Sequence, residues 1–366
     1  MILKSKMPMR QTGFSLVELL VGLVIGLLAT LVIMQVFATF EGQKRTTTGT
    51  ADAQTNGSIA LFTLQRDMQM AGFGLPVFDT QNPPLRCDPA VVGSDLTVNH
   101  DGDGATPEID MFPISITEGG AGASDSIAIR YARDAAVAKN GIAVKIINAA
   151  AATTTGLGVN NNFGCSQGDV VLVSAGTTCA MTTVNDANLN ADTTHITLTS
   201  AAGATSGASL TCMGKWNQYT YTVATNQLQR NDASSITPTP IVSEIVDMQA
   251  QYGVSATANS NQITAWVDAS APWAAPSVAN RNRIKAVRIA VVARNGLLEK
   301  EDVDGSVACS SLTAANPTGV CAWEGTAGSP APAIDLSAEA NWQRYRYRVY
   351  ETIIPLRNMI WSKNTL

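Results

Sequence analysis

Hydrophobic and polar positions divide the chain into stretches of different period. From Phe14 to Phe40 there are 27 residues in which Glu18 is the only charged side chain. As helix this run would measure about 40 Å, longer than the roughly 30 Å hydrocarbon layer of a bilayer, and it predicts a membrane-spanning helix. Glu41 to Gly57 is polar, rich in Thr and free of proline. Then Ile59, Leu61, Phe62, Leu64, Met68 and Ala71 recur largely at three- and four-residue steps, the pattern of an amphipathic helix. With no breaker between the pieces, one long rod is expected, stopped by Gly72, Gly74 and Pro76. Gly22, Gly26, Gly42, Gly49 and Gly57 read as weak points in that rod, each costing about 1 kcal/mol relative to Ala.

Beyond Pro76 the period becomes two. Strands are predicted at Ser126 to Ala132, Asp169 to Ser174, His195 to Thr199, Gln218 to Val223, Ile284 to Ala293 and Tyr345 to Ile354. Val242 to Tyr252 fits a short helix or a strand. Connectors rich in Gly, Ala, Thr and Pro (Gly119 to Ser124, Ala149 to Gly158, Ser200 to Ser209, Ala314 to Pro332) read as loops. The expected fold class is α+β: a membrane-anchored helical spine packed on a mainly antiparallel sheet with long loops.

Charge adds an orientation. Lys4, Lys6 and Arg10 precede the apolar run with no acid among the first 13 residues, so the positive-inside rule keeps that end cytoplasmic and sends the remainder outward. Removing residues 1–13 would leave 21 bases against 29 acids, shifting the formal balance from -5 to -8. An acidic exported part weighs against nucleic-acid binding driven by bulk charge. Cys87, Cys165, Cys179, Cys212, Cys309 and Cys321 all lie beyond the apolar run, an even number in an oxidising compartment, and predict disulfides. Sequence leaves 15 pairings open; the short loops Cys309 to Cys321 and Cys165 to Cys179 are the simplest expectations.

Gly13-Phe14-Ser15-Leu16-Val17-Glu18 resembles the class III signal of type IV prepilins: a short basic leader ending in Gly, then Phe, with Glu at the fifth position after the cut. Asn56 to Leu61 and Arg66 to Phe73 resemble the end of the spine in PilW-type minor pilins, and Ile284 to Arg294 and Tyr347 to Asn358 resemble that family's closing strands. The resemblance implies a pilin-like fold, cleavage after Gly13 by prepilin peptidase, N-methylation of Phe14 and entry into a filament through the spine. It further implies partners among other minor pilins, the major pilin and a tip adhesin, in a complex that primes assembly. On this reading the segments are a leader at 1–13, a membrane half of the spine at 14–40, an amphipathic periplasmic half at 41–74 and a disulfide-containing head at 75–366. The protein starts in the bacterial inner membrane with a periplasmic head and ends in a surface pilus. The spine lacks the proline usual in major pilins, and the head is far larger than theirs.

A lone carboxylate in hydrocarbon costs several kcal/mol, so Glu18 needs a partner. Cleavage after Gly13 would create one by freeing a cationic amine on Phe14, able to pair with Glu18 of a neighbouring subunit where screening is weak. Glu18 is thus expected to register one subunit against the next. The alternatives are a type II secretion pseudopilin with a large head, sharing leader and spine, and a monomeric membrane-anchored periplasmic binding protein.

Other candidate chemistry is sparser. Asn99, Asp101 and Asp103, followed by Gly104, with Asp110 further on, approach the EF-hand loop whose oxygens hold Ca2+. Asn at the first position, Asp at the last and the intervening Pro107 weaken the match, and a polar turn is the competing reading. Arg344, Arg346 and Arg348 alternate with Tyr345 and Tyr347, and Arg281, Arg283, Lys285 and Arg288 form a second basic cluster. Either could grip an anionic partner, or simply belong to strands with one wet and one core face. No nucleophile elbow, zinc-protease helix, P-loop or dinucleotide fingerprint occurs, so a non-enzyme without a resident cofactor is expected.

Overall fold

The computed structural model describes residues 13–75, 112–120, 122–133, 144–148, 156–175, 178–187, 189, 191–199, 204–232, 235, 237–314 and 316–361. A single helix, α1 (Leu16–Gln69), runs for 54 residues. Ser15 caps its start in an extended conformation, and the Met70 N–H closes its end on the Asp67 and Met68 carbonyls. Gly72 and Gly74, both at φ 77°, turn the chain away, a conformation glycine adopts without steric cost. The exit is then tied to the sheet: Gly72 donates to the Arg130 carbonyl (2.9 Å) and Ala132 to that of Phe73 (2.7 Å).

Two antiparallel sheets form the head. The larger has β1 (Ile114–Thr117), β2 (Ser126–Arg133), β3 (Val144–Asn148), β4 (Leu157–Val159), β5 (Val170–Ala175), β6 (Thr178–Thr183), β7 (His195–Ile196), β8 (Ser209–Ala224), β9 (Gln227–Asp232) and β10 (Thr239–Ser243). The smaller, in the order β12-β11-β13-β14, has β11 (Ile245–Ser255), β12 (Ile263–Val267), β13 (Ile284–Arg294) and β14 (Tyr347–Pro355). One core joins α1 to both sheets: Ala53, Ala60, Leu64 and Met68 of the helix meet Met248, Tyr252, Val287, Ile289 and Val291, with Ile127, Ile129 and Tyr221 beyond.

The other face of the small sheet (Ala290, Val292) is covered by Val320, Ala322, Ile334 and Leu336 from the long connection after β13, which the Cys309–Cys321 disulfide staples. Covered on both sides, β13 is buried along its whole length. A separate core of Leu157, Val171, Val173, Ile196 and Leu210 fills the β4–β7 region. The 16-residue β8 bridges the two, one end in each core.

The expected strands are found with altered bounds. Gln218 to Val223 extends to the long β8, and His195 to Thr199 contracts to two residues, with Leu198 retained in an isolated bridge to Val184. Tyr345 to Ile354 begins at Tyr347 because Trp342–Arg344 winds into a 3-10 turn. The ambiguous Val242 to Tyr252 is mostly strand: Met248, Ala250 and Tyr252 alternate into the core. Cys165 pairs with Cys212, not Cys179, which corrects the shortest-loop expectation; β5 lies between β6 and β8, and pairing decides proximity over sequence distance. Cys87 lies outside the described residues.

Candidate functional site

Gly13, Phe14 and Ser15 stand exposed ahead of the first helical residue, so the Gly13–Phe14 bond lies in non-helical, accessible backbone. Glu18 sits in the first turn of α1 and its Oε2 accepts the Ser15 N–H (3.3 Å). In the isolated chain its charge therefore caps the helix and lies at the positive end of the helix dipole. That local partner lowers the cost of keeping a carboxylate here, and it leaves the second oxygen for another cation. From residue 13 to residue 45 every position is exposed, and the helix is long and apolar enough there to cross a membrane.

Burial begins at Gly49. Gly49, Ala53, Gly57, Ala60, Leu64 and Met68 make a stripe of small and then larger residues against the head. A Cβ on Gly49 would lie 2.9 Å from that of Asn295, and one on Gly57 only 2.3 Å from the Tyr350 ring. These two glycines are points of close approach, correcting the reading of them as weak spots. Gly22, Gly26 and Gly42 have nothing within 4 Å.

Polar contacts fix the helix at both ends of the stripe. Near the apolar half, Thr46 Oγ1 donates to buried Glu299 (3.0 Å), which also accepts from Arg346 Nε (3.0 Å). Arg344 Nε donates to the Glu299 carbonyl (2.8 Å). At the far end buried Asp67 accepts from the Tyr221 hydroxyl (2.5 Å), with Arg230 at 3.7 Å. Burial, with Asp67 beside it, pushes the Tyr221 hydroxyl well above the ordinary phenol range. Asn358 Nδ2 donates to the Ala71 and Gln69 carbonyls (3.0 and 3.3 Å), tying the C-terminal helical turn (Arg357–Trp361) to the spine.

The Arg281 to Arg288 cluster is engaged within the head, whereas the Arg344 to Arg348 row is engaged only in part, with Arg348 exposed. Arg288 is buried between Trp266 and Trp323 (4.9 and 4.2 Å from its guanidinium) and bonds Gln251; burial lowers its pKa to about 10. Lys285 is buried and donates to the Asn282 and Ala258 carbonyls, while Arg283 lies over Trp273 and Arg281 over Phe112. Arg344 and Arg346 belong to the Glu299 clasp. The candidate calcium residues Asn99, Asp101, Asp103 and Asp110 lie outside the described residues. Among the described residues no group of three or more His, Cys, Asp and Glu side chains could hold a metal ion. His195 is half-buried and pairs with Asp192 (2.7 Å).

Sequence reasoning missed Glu299, Asp67 and the acids Asp125 and Asp247, whose partners arrive from distant segments. Asp125 is buried, accepting from Gly119 N (3.0 Å) and Ala250 N (2.8 Å), and burial raises its pKa to about 7. Asp247 accepts from Ser124 Oγ (2.7 Å) and is likewise raised by burial.

A bare apolar half-helix continues without a break into a clamped, sheeted head, and comparison with known families finds type IV pilin-like signatures toward both ends of the chain. The prokaryotic N-terminal methylation motif matches residues 8–34. The family of type IV pilus-assembly protein W, PilW, matches residues 200–358, so the chain carries a prepilin motif and a PilW domain. No curated protein matches. Among solved structures a type IV-like pilin from Thermus thermophilus is similar at 12% identity and a TM-score of 0.23, over 53% of this chain and 87% of that one. That likeness is too loose to carry an argument, and the α+β assignment rests on this chain's own helix and sheets.

Proposed function

We propose that the chain is the precursor of a minor type IV pilin, held in the inner membrane with its head in the periplasm. Prepilin peptidase removes the leader 1–13 by cutting between Gly13 and Phe14, and Phe14 is N-methylated. The spine, with its membrane half at 14–40 and periplasmic half at 41–74, then enters the filament, while the head at 75–366 acts with other minor pilins and a tip adhesin to prime assembly on the major pilin. One observation carries this reading. The methylation motif and the PilW region are two ends of one physical unit, since α1 starts in the first and packs its C-terminal half on β10, β13 and β14 of the second. The leader and spine are common to secretion pseudopilins; the PilW match favours the pilus.

In this account Glu18 caps its own helix until assembly, when the new Phe14 amine of an adjacent subunit takes the free oxygen. Attraction between unit charges is weakly screened in an apolar setting, and an unpaired partner there is costly. Glu18→Ala should therefore insert in the membrane at wild-type level yet be lost from sheared pili, as read by immunoblot of the two fractions. Equal amounts of variant and wild type in the pilus fraction would contradict the role given to this carboxylate. For the priming role, deletion should abolish surface pili, and blocking retraction should restore them.

A further inference from the structure

One side of the head lies toward the apolar half of α1, and it carries an exposed apolar pair. Because α1 is unbroken, the direction of each strand relative to the apolar run is fixed. β13 starts opposite Pro355, close to Asn358 and the helix end at Gln69, and finishes at Arg294, beside Gly49. It therefore runs down the spine toward the apolar half. The segment after it continues the descent: Asn295 lies against Gly49, Glu299 meets Thr46, and Glu299 to Glu301 line one side of a cleft of about 540 Å3 whose other wall reaches Ala38 and Thr39. Those last two belong to the apolar run itself. The segment is held rigidly, with Asn295 Nδ2 bonded to the Leu297 carbonyl and Glu299 N to the Arg344 carbonyl.

At its turn Leu297 and Leu298 are 46% and 36% exposed. Arg294 is paired with Glu244 and Glu339 (both 2.7 Å) and Arg346 with Glu299, while Lys300, Glu301 and Asp302 stand exposed alongside. Thr46 stands six residues past Phe40, about 9 Å along a helix, and the headgroup layer adds roughly 5 to 8 Å beyond the hydrocarbon. A tilt of about 20°, ordinary for a membrane helix, suffices to bring this side into that layer.

We infer that residues 296–301 are a second membrane contact, in which Leu297 and Leu298 lie in the headgroup layer of the bilayer that holds the spine, with Lys300 beside them. The contact orients the head over the membrane before the subunit is extracted into a filament. It rests on the reading of residues 14–40 as the anchor, and the test separates the two.

The full chain, one copy per nanodisc of phosphatidylethanolamine and phosphatidylglycerol, is labelled with bimane at Leu297→Cys, and separately at Leu298→Cys as a second variant. Ile33→Cys reports the anchor and Phe163→Cys, 59% exposed on the β4–β7 module, reports free solvent. The expected result is blue-shifted emission at 297 or 298, quenching by lipids carrying a shallow nitroxide, and loss of most of the iodide quenching seen at 163. Iodide quenching at 297 and 298 equal to that at 163, with lipid quenching at 33 intact, overturns the contact and leaves the anchor standing. Absence of lipid quenching at 33 overturns the anchor. Protection at 297 and 298 only when two copies share a disc would assign the leucines to a neighbouring subunit and also overturn the proposal.

Discussion

A single methyl group at Gly57 would have to occupy space held by the Tyr350 ring, 2.3 Å away, whereas the same methyl at Gly42 meets nothing within 4 Å. Overpacking of this kind costs about 1 to 3 kcal/mol, and an exposed helical Gly→Ala change gains up to about 1 kcal/mol. Gly57→Ala should therefore lower the melting temperature of the head in detergent, and Gly42→Ala should leave it unchanged or raised; circular dichroism melts would check both. A second residue-scale expectation concerns Asp125. Glu118 and Asp247 face it, burial holds its pKa near 7 against an ordinary 3.8, and the folded state thus binds more protons than the unfolded state between those values. Stability from this group falls as pH rises through the window, by up to about 1.4 kcal/mol per pH unit, and levels off above pH 7. Denaturant midpoints should drop between pH 5 and pH 7.5, and Asp125→Asn should flatten that slope. Neither effect was legible in the sequence. Gly57 looks like any helix breaker until Tyr350, some 290 residues later, is known to lie against it, and nothing near Asp125 announces its burial.

Elements were more legible than their partners. The apolar run and its amphipathic continuation marked out α1, because 3.6-residue periodicity and the terminating Gly72 are local signals. β13 was readable as a strand over Ile284 to Ala293, but its full burial was not, since Lys285 and Arg288 look like surface charge until Trp266 and Trp323 close over the arginine. The short β4 and β7 were invisible or shortened because two or three residues carry little pattern; tertiary pairing and the Cys165–Cys212 bridge hold them. That bridge spans 47 residues, for which loop-closure entropy gives about 4 kcal/mol. Replacing both cysteines with alanine should loosen the β4–β7 core while β13 and β14 stay protected, as measured by amide hydrogen exchange. Equal loss of protection in β13 would mean the two cores unfold as one.

At the scale of the whole molecule the parts divide the labour of a pilin. Lipid or neighbouring subunits must cover the bare half of α1, since the chain itself leaves residues 13–45 exposed. The clamped half makes the head follow the spine wherever it goes, through Glu299 at one end and Asp67 at the other. Motion of the anchor is thereby transmitted to a head much larger than the spine. The N-terminal signal disclosed the class of protein, while the region between the spine and residue 200 lies outside both family matches and holds what is particular to this head. Assembly through the spine requires a new positive terminus at residue 14 beside Glu18. Mass spectrometry of the N-terminal peptide from protein recovered from membranes and pili measures this directly. The expected chain starts at Phe14 and carries one added methyl group on its amine; a mature chain that keeps residues 1–13, or starts at any other position, would rule that terminus out.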